Sequence, residues 1–299
     1  METKRVEMEK ESILKKLNAI KDIPTLPVIA MEINRMLESC DTSIEKLSAA
    51  IERDQSITSK VLRLVNSSFF GVRSKVTRIR DAVILLGFDS VRNIVLSVSL
   101  VNALSGTLSK RGFDITLFWR HSVNVAMTSK RLSELSAKEE PECCFTAGLL
   151  HDIGKIILSQ YFSSLFESIM MKAMAEQLSF SQAEKAVTPL GHEKAGGYLA
   201  AKWKLPVHLV DVVRYHHSVS PRASNLNLVK IVHAANRIAS TLSMDTQYID
   251  DRAFEHVSQG MNKAVLNDFK PQLHKVGYWY REIIPNIEEA CRFFTERNE

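Results

Sequence analysis

Histidines in the central part of the chain fall at inward-facing or terminal positions of separate predicted helices. An aspartate directly follows one of them, and an asparagine lies on the inward face of a further helix. The set is His121, His151, Asp152, His192, His216, His217 and Asn236. Buried imidazoles without partners are costly, so convergence on an ion would satisfy several at once. Because imidazole and carboxylate ligands suit iron, manganese or zinc, the sequence predicts a site for a divalent transition metal.

The spacing around two of these histidines supports an inward placement. Phe118 lies three residues before His121 and Val125 four residues after it, so the imidazole shares an apolar helix face. Gly148 precedes His151 at helical spacing, and a small residue there would let a second helix come close. Taken singly, each histidine is better explained as a hydrogen-bonded core residue.

The composition favours a helical globular protein. The 299 residues are 45% hydrophobic and 24% charged, with only 11 Gly and 8 Pro, which favours helices over sheets. The net charge of +5 is dilute, so we interpret the basic residues near Arg73–Arg80 as a solvated surface rather than a nucleic-acid site.

Localisation is predicted from the start of the chain and from the cysteines. The first residues are charged where a secretory leader would be apolar, and charged residues interrupt the apolar stretches before they reach the length of a membrane span. No CxxC pair occurs among Cys40, Cys143, Cys144 and Cys291. We therefore expect a cytoplasmic protein with reduced thiols and no membrane partner.

Helical periodicity predicts three regions along the chain. They are an N-terminal helical part over 1–112, a helical core with the candidate metal site over 113–245, and a C-terminal helical tail over 246–299. The predicted core helices lie near 115–136, 141–162, 164–178, 191–202, 206–217 and 225–243. In the N-terminal part, the capping-box pattern Thr42–Glu45 predicts a helix start. Asn66 is interpreted as capping or bracing a turn, with a functional role as the alternative.

Four stretches of the sequence carry a resemblance to a known family. They read IPTLPVIAMEINRMLES, then IERDQSITSKVLRLVNSSFFGVRSKVTRIRDAVILLGFDSVRNIVLS, then FWRHSVNVAM with AGLLHDIGKIIL, and finally GHEKAGGYLAAKWKLPVHLVDVVRYHH. Together they resemble the HDOD proteins of the HD superfamily over roughly residues 20–240. The resemblance implies an all-α, multi-helix HD-domain-like bundle with an N-terminal helical subdomain.

The resemblance also implies roles for individual residues. In the HD superfamily, histidines and aspartates from several helices hold metal ions that activate water for attack on a phosphate ester. His121 matches the first ligand of that site, and His151 with Asp152 matches the HD pair. His192 and one or both of His216 and His217 match further ligands of a two-metal subgroup similar to the HD-GYP phosphodiesterases. Lys155 matches a lysine that approaches a substrate phosphate, with a solvated helix lysine as the alternative.

The sequence departs from the active enzymes at two points. Asn236 stands where active HD enzymes have an aspartate, so a negative charge is missing. The chain also reads IILSQYF after HDIGK, without the GYP extension. We therefore expect a regulatory protein that binds a signalling protein or a small nucleotide and keeps a degenerate metal site. The alternative is an active metal-dependent phosphohydrolase or phosphodiesterase acting on nucleotides or cyclic dinucleotides, with Asp152 and Lys155 as catalytic residues.

Overall fold

Every regular element among the described residues is an α-helix. The computed structural model describes residues 27–36, 43–67, 70, 72, 74–105, 113–189, 191–243, 249 and 252–295. Its helices are α1 (Val28–Met36), α2 (Ile44–Glu52), α3 (Gln55–Val65), α4 (Ile79–Leu86), α5 (Phe88–Ser105), α6 (Ile115–Ser136), α7 (Pro141–Leu150), α8 (Ile153–Tyr161), α9 (Ser163–Glu176), α10 (Phe180–Val187), α11 (His192–Lys202), α12 (Val207–Tyr215), α13 (Leu226–Leu242), α14 (Ala253–Ser258), α15 (Lys263–Asp268), α16 (Lys270–Leu273) and α17 (Val276–Thr295). The predicted all-α fold is confirmed. None of the described helices combines the length and apolar character that a bilayer crossing requires.

Capping side chains start the helices of the N-terminal part. Ser43 accepts a hydrogen bond from the backbone N–H of Lys46 (3.3 Å) at the start of α2. Asp54 accepts one from the N–H of Ile57 (3.0 Å) at the start of α3. The predicted helix start is thus present with Ser43 as its cap, whereas Thr42 lies outside the described residues.

Asn66 ends α3 and braces the turn that follows it. Its side-chain amide donates to the carbonyl of Val76 (2.7 Å), and its carbonyl accepts from the N–H of the same residue (2.7 Å). The amide also donates to the carbonyl of Leu62 (2.7 Å). These hydrogen bonds support the bracing interpretation of Asn66.

The long helix α6 lies at the centre of the core and matches its predicted bounds. Asp114 caps its start by accepting hydrogen bonds from the N–H groups of Thr116 (2.9 Å) and Leu117 (3.0 Å). Helices α7, α13 and α17 pack against α6. A Cβ atom at Gly148 would lie 2.8 Å from the Cα of Ala126, so the small residue lets α7 approach α6 as the sequence predicted.

The predicted single helix over 141–162 is wrong, because the chain breaks at His151 and Asp152. Helix α7 ends at Leu150 and α8 begins at Ile153. A Cβ atom at Gly154 would lie only 1.8 Å from the backbone oxygen of His192. The start of α8 is therefore packed closely against the start of α11.

Helix α10 is a second difference from the sequence analysis, which predicted no helix between 178 and 191. It begins with a capping box in which the Ser179 side chain accepts from the N–H of Gln182 and the Gln182 side chain accepts from the N–H of Ser179. Helix α10 packs against α9 and holds a buried glutamate, Glu184.

The C-terminal helices are joined to the core by buried and surface contacts. The Asn124 side chain on α6 donates to the Tyr280 hydroxyl on α17 (2.8 Å). The Lys230 ammonium on α13 lies 2.5 Å from an oxygen of Asp268 at the end of α15. The predicted boundaries near residues 112 and 245 stay predictions. The described cysteines, Cys143, Cys144 and Cys291, form no disulfide with one another.

Candidate metal centre

The carboxylate of Asp152 lies at the centre of the histidine cluster. Its Oδ2 lies 3.2 Å from His151 Nε2 and 3.6 Å from His121 Nε2. Its Oδ1 lies 3.2 Å from His192 Nε2 and 3.5 Å from His216 Nε2. The side chain is only 1% exposed. Four imidazoles from different parts of the chain thus face one buried carboxylate.

The ligand atoms form two groups that share Asp152. We call Asp152 with His192, His216 and His217 the His192 half, and Asp152 with His121 and His151 the His121 half. Within each half, one candidate ligand atom per residue lies within 4.8 Å of the others. His217 joins the first half through its ring, whose centroid lies 4.2 Å from that of His216 and 5.2 Å from that of His192.

Hydrogen bonds behind the imidazoles fix their tautomers. His151 Nδ1 lies 2.7 Å from the carbonyl oxygen of Gly148, and His216 Nδ1 lies 3.1 Å from that of Val213. A carbonyl only accepts, so Nδ1 carries the proton in both rings. The Nε2 atoms of both rings therefore face Asp152 and are the nitrogens available to a metal ion.

The residues of the cluster fit a divalent transition metal ion. His151 Nε2 and Asp152 Oδ1 are buried and have no hydrogen-bond partner of acceptable geometry. His192 Nε2 and His216 Nε2 lie 3.2 Å apart, beside the same carboxylate. Such a convergence of nitrogen and oxygen lone pairs is costly unless a proton or a cation lies between them. Nitrogen and carboxylate donors are the ligands that first-row transition metals prefer. Which metal binds stays a prediction.

Burial keeps three of the imidazoles neutral. It lowers the pKa of His121 and that of His216 to about 3, despite the nearby carboxylate of Asp152. Burial, together with the neighbouring His216, also holds the pKa of His217 well below its usual range. Neutral imidazoles are the form that binds metal ions.

Asp152 is held in its charged form although it is buried. Burial opposes its ionisation, but His151 and Lys155 outweigh this effect and hold the pKa of the carboxyl well below its usual range. The Lys155 ammonium lies 2.5 Å from Asp152 Oδ2 and is 20% exposed. Lys155 therefore reaches the edge of the cluster, where it supplies a positive charge.

His192 differs from the other histidines because two carboxylates flank it. Burial lowers the pKa of His192, but the carboxylates of Asp152 and Glu184 outweigh burial and raise it to about 9. In the metal-free protein at neutral pH, His192 is therefore an imidazolium. A metal ion that binds its Nε2 must displace a proton.

Asn236 lies beside His121, on the edge of the His121 half. Its side chain hydrogen-bonds His121, and its Oδ1 accepts from the hydroxyl of Ser240 (3.3 Å). An amide oxygen is a neutral donor, so this edge receives no second negative charge.

Glu184 is a residue at the cluster that the sequence did not predict. It lies on α10 and is 2% exposed, and its Oε2 lies 2.8 Å from His192 Nδ1. The missed signal was the Ser179–Gln182 capping-box pattern, which would have predicted α10. Of the predicted residues, the structure brings His121, His151, His192, His216 and His217 together around Asp152. Their role as metal ligands stays a prediction.

Comparison with known proteins gives a match to one family. The HDOD domain model matches residues 23–219, which bears out the resemblance carried by the four sequence stretches. A protein of Treponema pallidum without an assigned function is 27% identical over 240 residues, which is 77% of this chain and 44% of that protein. The Bacillus subtilis protein YuxH is 26% identical over 109 residues, 36% of this chain and 24% of YuxH. The chain thus spans less than half the length of either relative.

Solved structures match nearly the whole chain. An HDOD domain protein of unknown function from Geobacter sulfurreducens has a TM-score of 0.80 at 23% identity, covering 98% of this chain and 100% of the other. A candidate phosphohydrolase from Shewanella amazonensis has a TM-score of 0.74 at 23% identity, with 94% and 97% covered. A candidate signal transduction protein from Marinobacter aquaeolei has a TM-score of 0.72 at 17% identity, with 96% and 66% covered. At these sequence identities, the similarity shows a shared fold and does not show a shared function.

Proposed function

The chain belongs to the HDOD family, and we propose that it is a signalling module that retains an HD-type metal site with reduced hydrolytic capacity. The observation that carries the proposal is the pairing of a complete histidine cluster with a neutral Asn236 at its edge. In this proposal residues 113–245 form the metal-holding core, 1–112 an N-terminal helical part and 246–299 a helical tail.

The residues that would hold metal ions are the members of the two halves and, on the His121 side, Asn236. A bound divalent ion would supply a Lewis acid that lowers the pKa of water and neutralises charge on phosphoryl oxygens. The protein's own contribution is to hold several imidazoles around one ionised carboxylate, Asp152, inside a buried site. Iron, manganese and zinc are the metals that this donor set suits.

Reduced hydrolysis follows from the charge of the His121 half. Two divalent ions that share one carboxylate repel each other, and a second carboxylate near His121 would offset this repulsion. Asn236 offers only an amide oxygen there. We therefore propose that the site holds an ion more readily than it turns over a phosphate ester.

The signalling role is supported by the family and by the fold shared with the candidate signal transduction protein of Marinobacter aquaeolei. We propose a signalling protein or a small nucleotide as the binding partner. The mildly basic net charge of +5 does not by itself favour nucleic acid.

An active phosphohydrolase is the second candidate, and Lys155 is the observation that favours it. Its ammonium lies 2.5 Å from Asp152 and is partly exposed, so it is within reach of a phosphate that approaches the cluster. In an active enzyme, Asp152 would hold the metal and Lys155 would bind the phosphate. The fold shared with the candidate phosphohydrolase of Shewanella amazonensis is compatible with this function.

The test combines elemental analysis with hydrolysis assays on the purified full chain. We expect bound transition metal after reconstitution with iron or manganese, no turnover of a phosphodiester reporter or of cyclic dinucleotides by the wild type, and turnover by Asn236→Asp. Asn236→Ala is the matched control, because it removes the amide without adding charge. Absence of metal after reconstitution would sink the proposal. Wild-type turnover that His151→Ala abolishes would replace it with the second candidate.

A further inference from the structure

A buried carboxylate outside the predicted ligand set stands directly behind His192. Glu184 Oε2 lies 2.8 Å from His192 Nδ1, and Oε1 accepts a hydrogen bond from the backbone N–H of His192 (2.7 Å). The two carboxylate oxygens of Glu184 thus contact the ring and the backbone of the same residue, His192. Glu184 is 2% exposed, so solvent does not weaken either hydrogen bond.

Gly191 lies directly beside the Glu184 carboxylate. A Cβ atom at Gly191 would lie 2.8 Å from Glu184 Oε2. The absence of a side chain at Gly191 therefore leaves space for the carboxylate at the start of α11. The glutamate, the glycine and the histidine form one unit that sets where the imidazole lies.

This unit also sets which nitrogen of His192 faces the cluster. A carboxylate accepts a hydrogen bond, so Nδ1 carries a proton and donates it to Glu184. When a metal ion replaces the other proton, the Nε2 lone pair is already directed at Asp152 Oδ1, 3.2 Å away. A carboxylate behind a metal-ligating histidine fixes its orientation and raises its basicity.

The His121 half has weaker support among the described residues. His151 Nδ1 is bonded to a neutral backbone carbonyl, that of Gly148. His121 is 28% exposed, and its neighbour Asn236 is a neutral amide. Of the two carboxylates that contact described imidazoles of the cluster in ion pairs, Asp152 is shared by both halves and Glu184 contacts only the His192 half.

We infer that Glu184 is a positioning residue that holds the His192 Nε2 lone pair on Asp152, and that it thereby makes the His192 half the tighter of two metal positions. The inference rests on the proposed metal-binding function, and it adds an order of filling: the first ion binds to the His192 half and the second to the His121 half. Loss of an outer carboxylate of this kind lowers metal affinity by about 10- to 100-fold.

The experiment compares wild type, Glu184→Gln and Glu176→Gln as metal-stripped full chains titrated with Zn²⁺ against a chelator. Glu184→Gln keeps the size of the side chain and removes its charge. Glu176→Gln removes the same charge from an exposed glutamate that pairs with Lys172. We expect the first binding step to weaken about 10- to 100-fold in Glu184→Gln and to stay unchanged in Glu176→Gln. Equal first-step affinity in all three proteins would overturn the inference.

Two further readouts separate positioning from a general loss of structure. Nitrogen-15 NMR of the histidine rings in metal-free protein, assigned with His192→Gln and recorded above the pH at which His192 loses its second proton, is expected to show the remaining proton on Nδ1 in wild type and a changed tautomer balance in Glu184→Gln. Anomalous scattering from crystals loaded with one equivalent of Zn²⁺ is expected to locate the ion in the His192 half. An ion in the His121 half would overturn the order of filling. If the wild type binds no ion, the proposed function fails, whereas the NMR comparison still decides whether Glu184 positions His192.

Discussion

The two halves of the histidine cluster share Asp152 but differ in the groups behind their imidazoles. In the His192 half, Glu184 accepts from His192 Nδ1 and a backbone carbonyl accepts from His216 Nδ1. In the His121 half, the partly exposed His121 has the neutral Asn236 as its neighbour. A cluster built from similar ligands can therefore offer unequal sites, because affinity depends on the charge and hydrogen bonding one layer further out.

This inequality bears on the proposed function. One stably held ion would hold the core helices in a fixed arrangement, whereas phosphoryl transfer with two ions needs both positions filled. The His192 half is suited to the first requirement. The His121 half lacks the charge for the second.

The largest effect is expected from the residue that both halves share. In Asp152→Asn the carboxylate that lies between the imidazoles is lost, so Zn²⁺ affinity should fall by more than the ~100-fold that marks the upper range for outer-layer partners. Isothermal titration of metal-stripped protein measures it. Asp89→Asn, which removes an exposed carboxylate beside Arg92, should bind as the wild type does. Retention of one tight site in Asp152→Asn would mean that one half does not depend on Asp152.

A matched pair of variants tests the inequality itself. His217 and His121 are both partly buried and each belongs to one half. We expect His217→Ala to weaken the first Zn²⁺ equivalent by about 10-fold or more, and His121→Ala to spare the first equivalent and weaken the second. Titration calorimetry with fitted stoichiometry distinguishes the two patterns. The reverse pattern would assign the tighter position to the His121 half.

Periodicity and residue type were enough to predict much of this arrangement. The bounds of α6 followed from its apolar spacing, and His121 was placed inward because Phe118 and Val125 share its face. The closeness of α7 to α6 followed from Gly148. These features are local, since each depends on residues within one or two helical turns.

The features that the sequence did not predict depend on contacts between segments that are far apart in the sequence. Just after the break at His151 and Asp152, Gly154 is packed against the backbone of His192, and no pattern within 141–162 predicts that contact. The support for His192 depends on Glu184 on α10, a helix that the sequence analysis did not predict. Such features depend on tertiary packing, so helix propensity alone does not predict them.

The protonation of the metal-free cluster predicts how stability varies with pH. The folded-state pKa of His192 is raised from 6.5 to about 9, so its contribution is fully present below pH 6.5 and is lost as the pH rises through 9. The folded-state pKa values of His121 and His216 are lowered to about 3. Their contribution is present above pH 6.5 and is lost as the pH falls towards 3. We expect the Tm of chelator-treated protein to peak near pH 6.5.

The alkaline decline is the limb that belongs to the His192 half. The free energy of unfolding lost on this alkaline limb is at most about 3 kcal/mol, because a pKa shift is worth roughly 1.4 kcal/mol per unit. Circular dichroism melts from pH 4 to pH 10 measure both limbs. His192→Gln should lose the alkaline decline and keep the acid one. A wild-type Tm that is constant between pH 6.5 and 9 would contradict the raised pKa.

The smallest effect on Zn²⁺ binding is expected from substitution of His233, which connects the His192 half to the C-terminal helices through two hydrogen bonds. Its Nδ1 donates to the backbone carbonyl of His216 (2.7 Å), and its Nε2 accepts from the N–H of Asn262 (3.3 Å) at the start of α15. His233→Ala should cost about 1 kcal/mol of stability per hydrogen bond lost and weaken Zn²⁺ binding less than tenfold. His233→Asn keeps a donor near His216 and loses the bond to Asn262, so it should restore metal affinity without restoring all of the stability. If the Asn variant binds Zn²⁺ as weakly as the Ala variant, the support of His216 comes from the C-terminal helices as a whole rather than from the donor on His233.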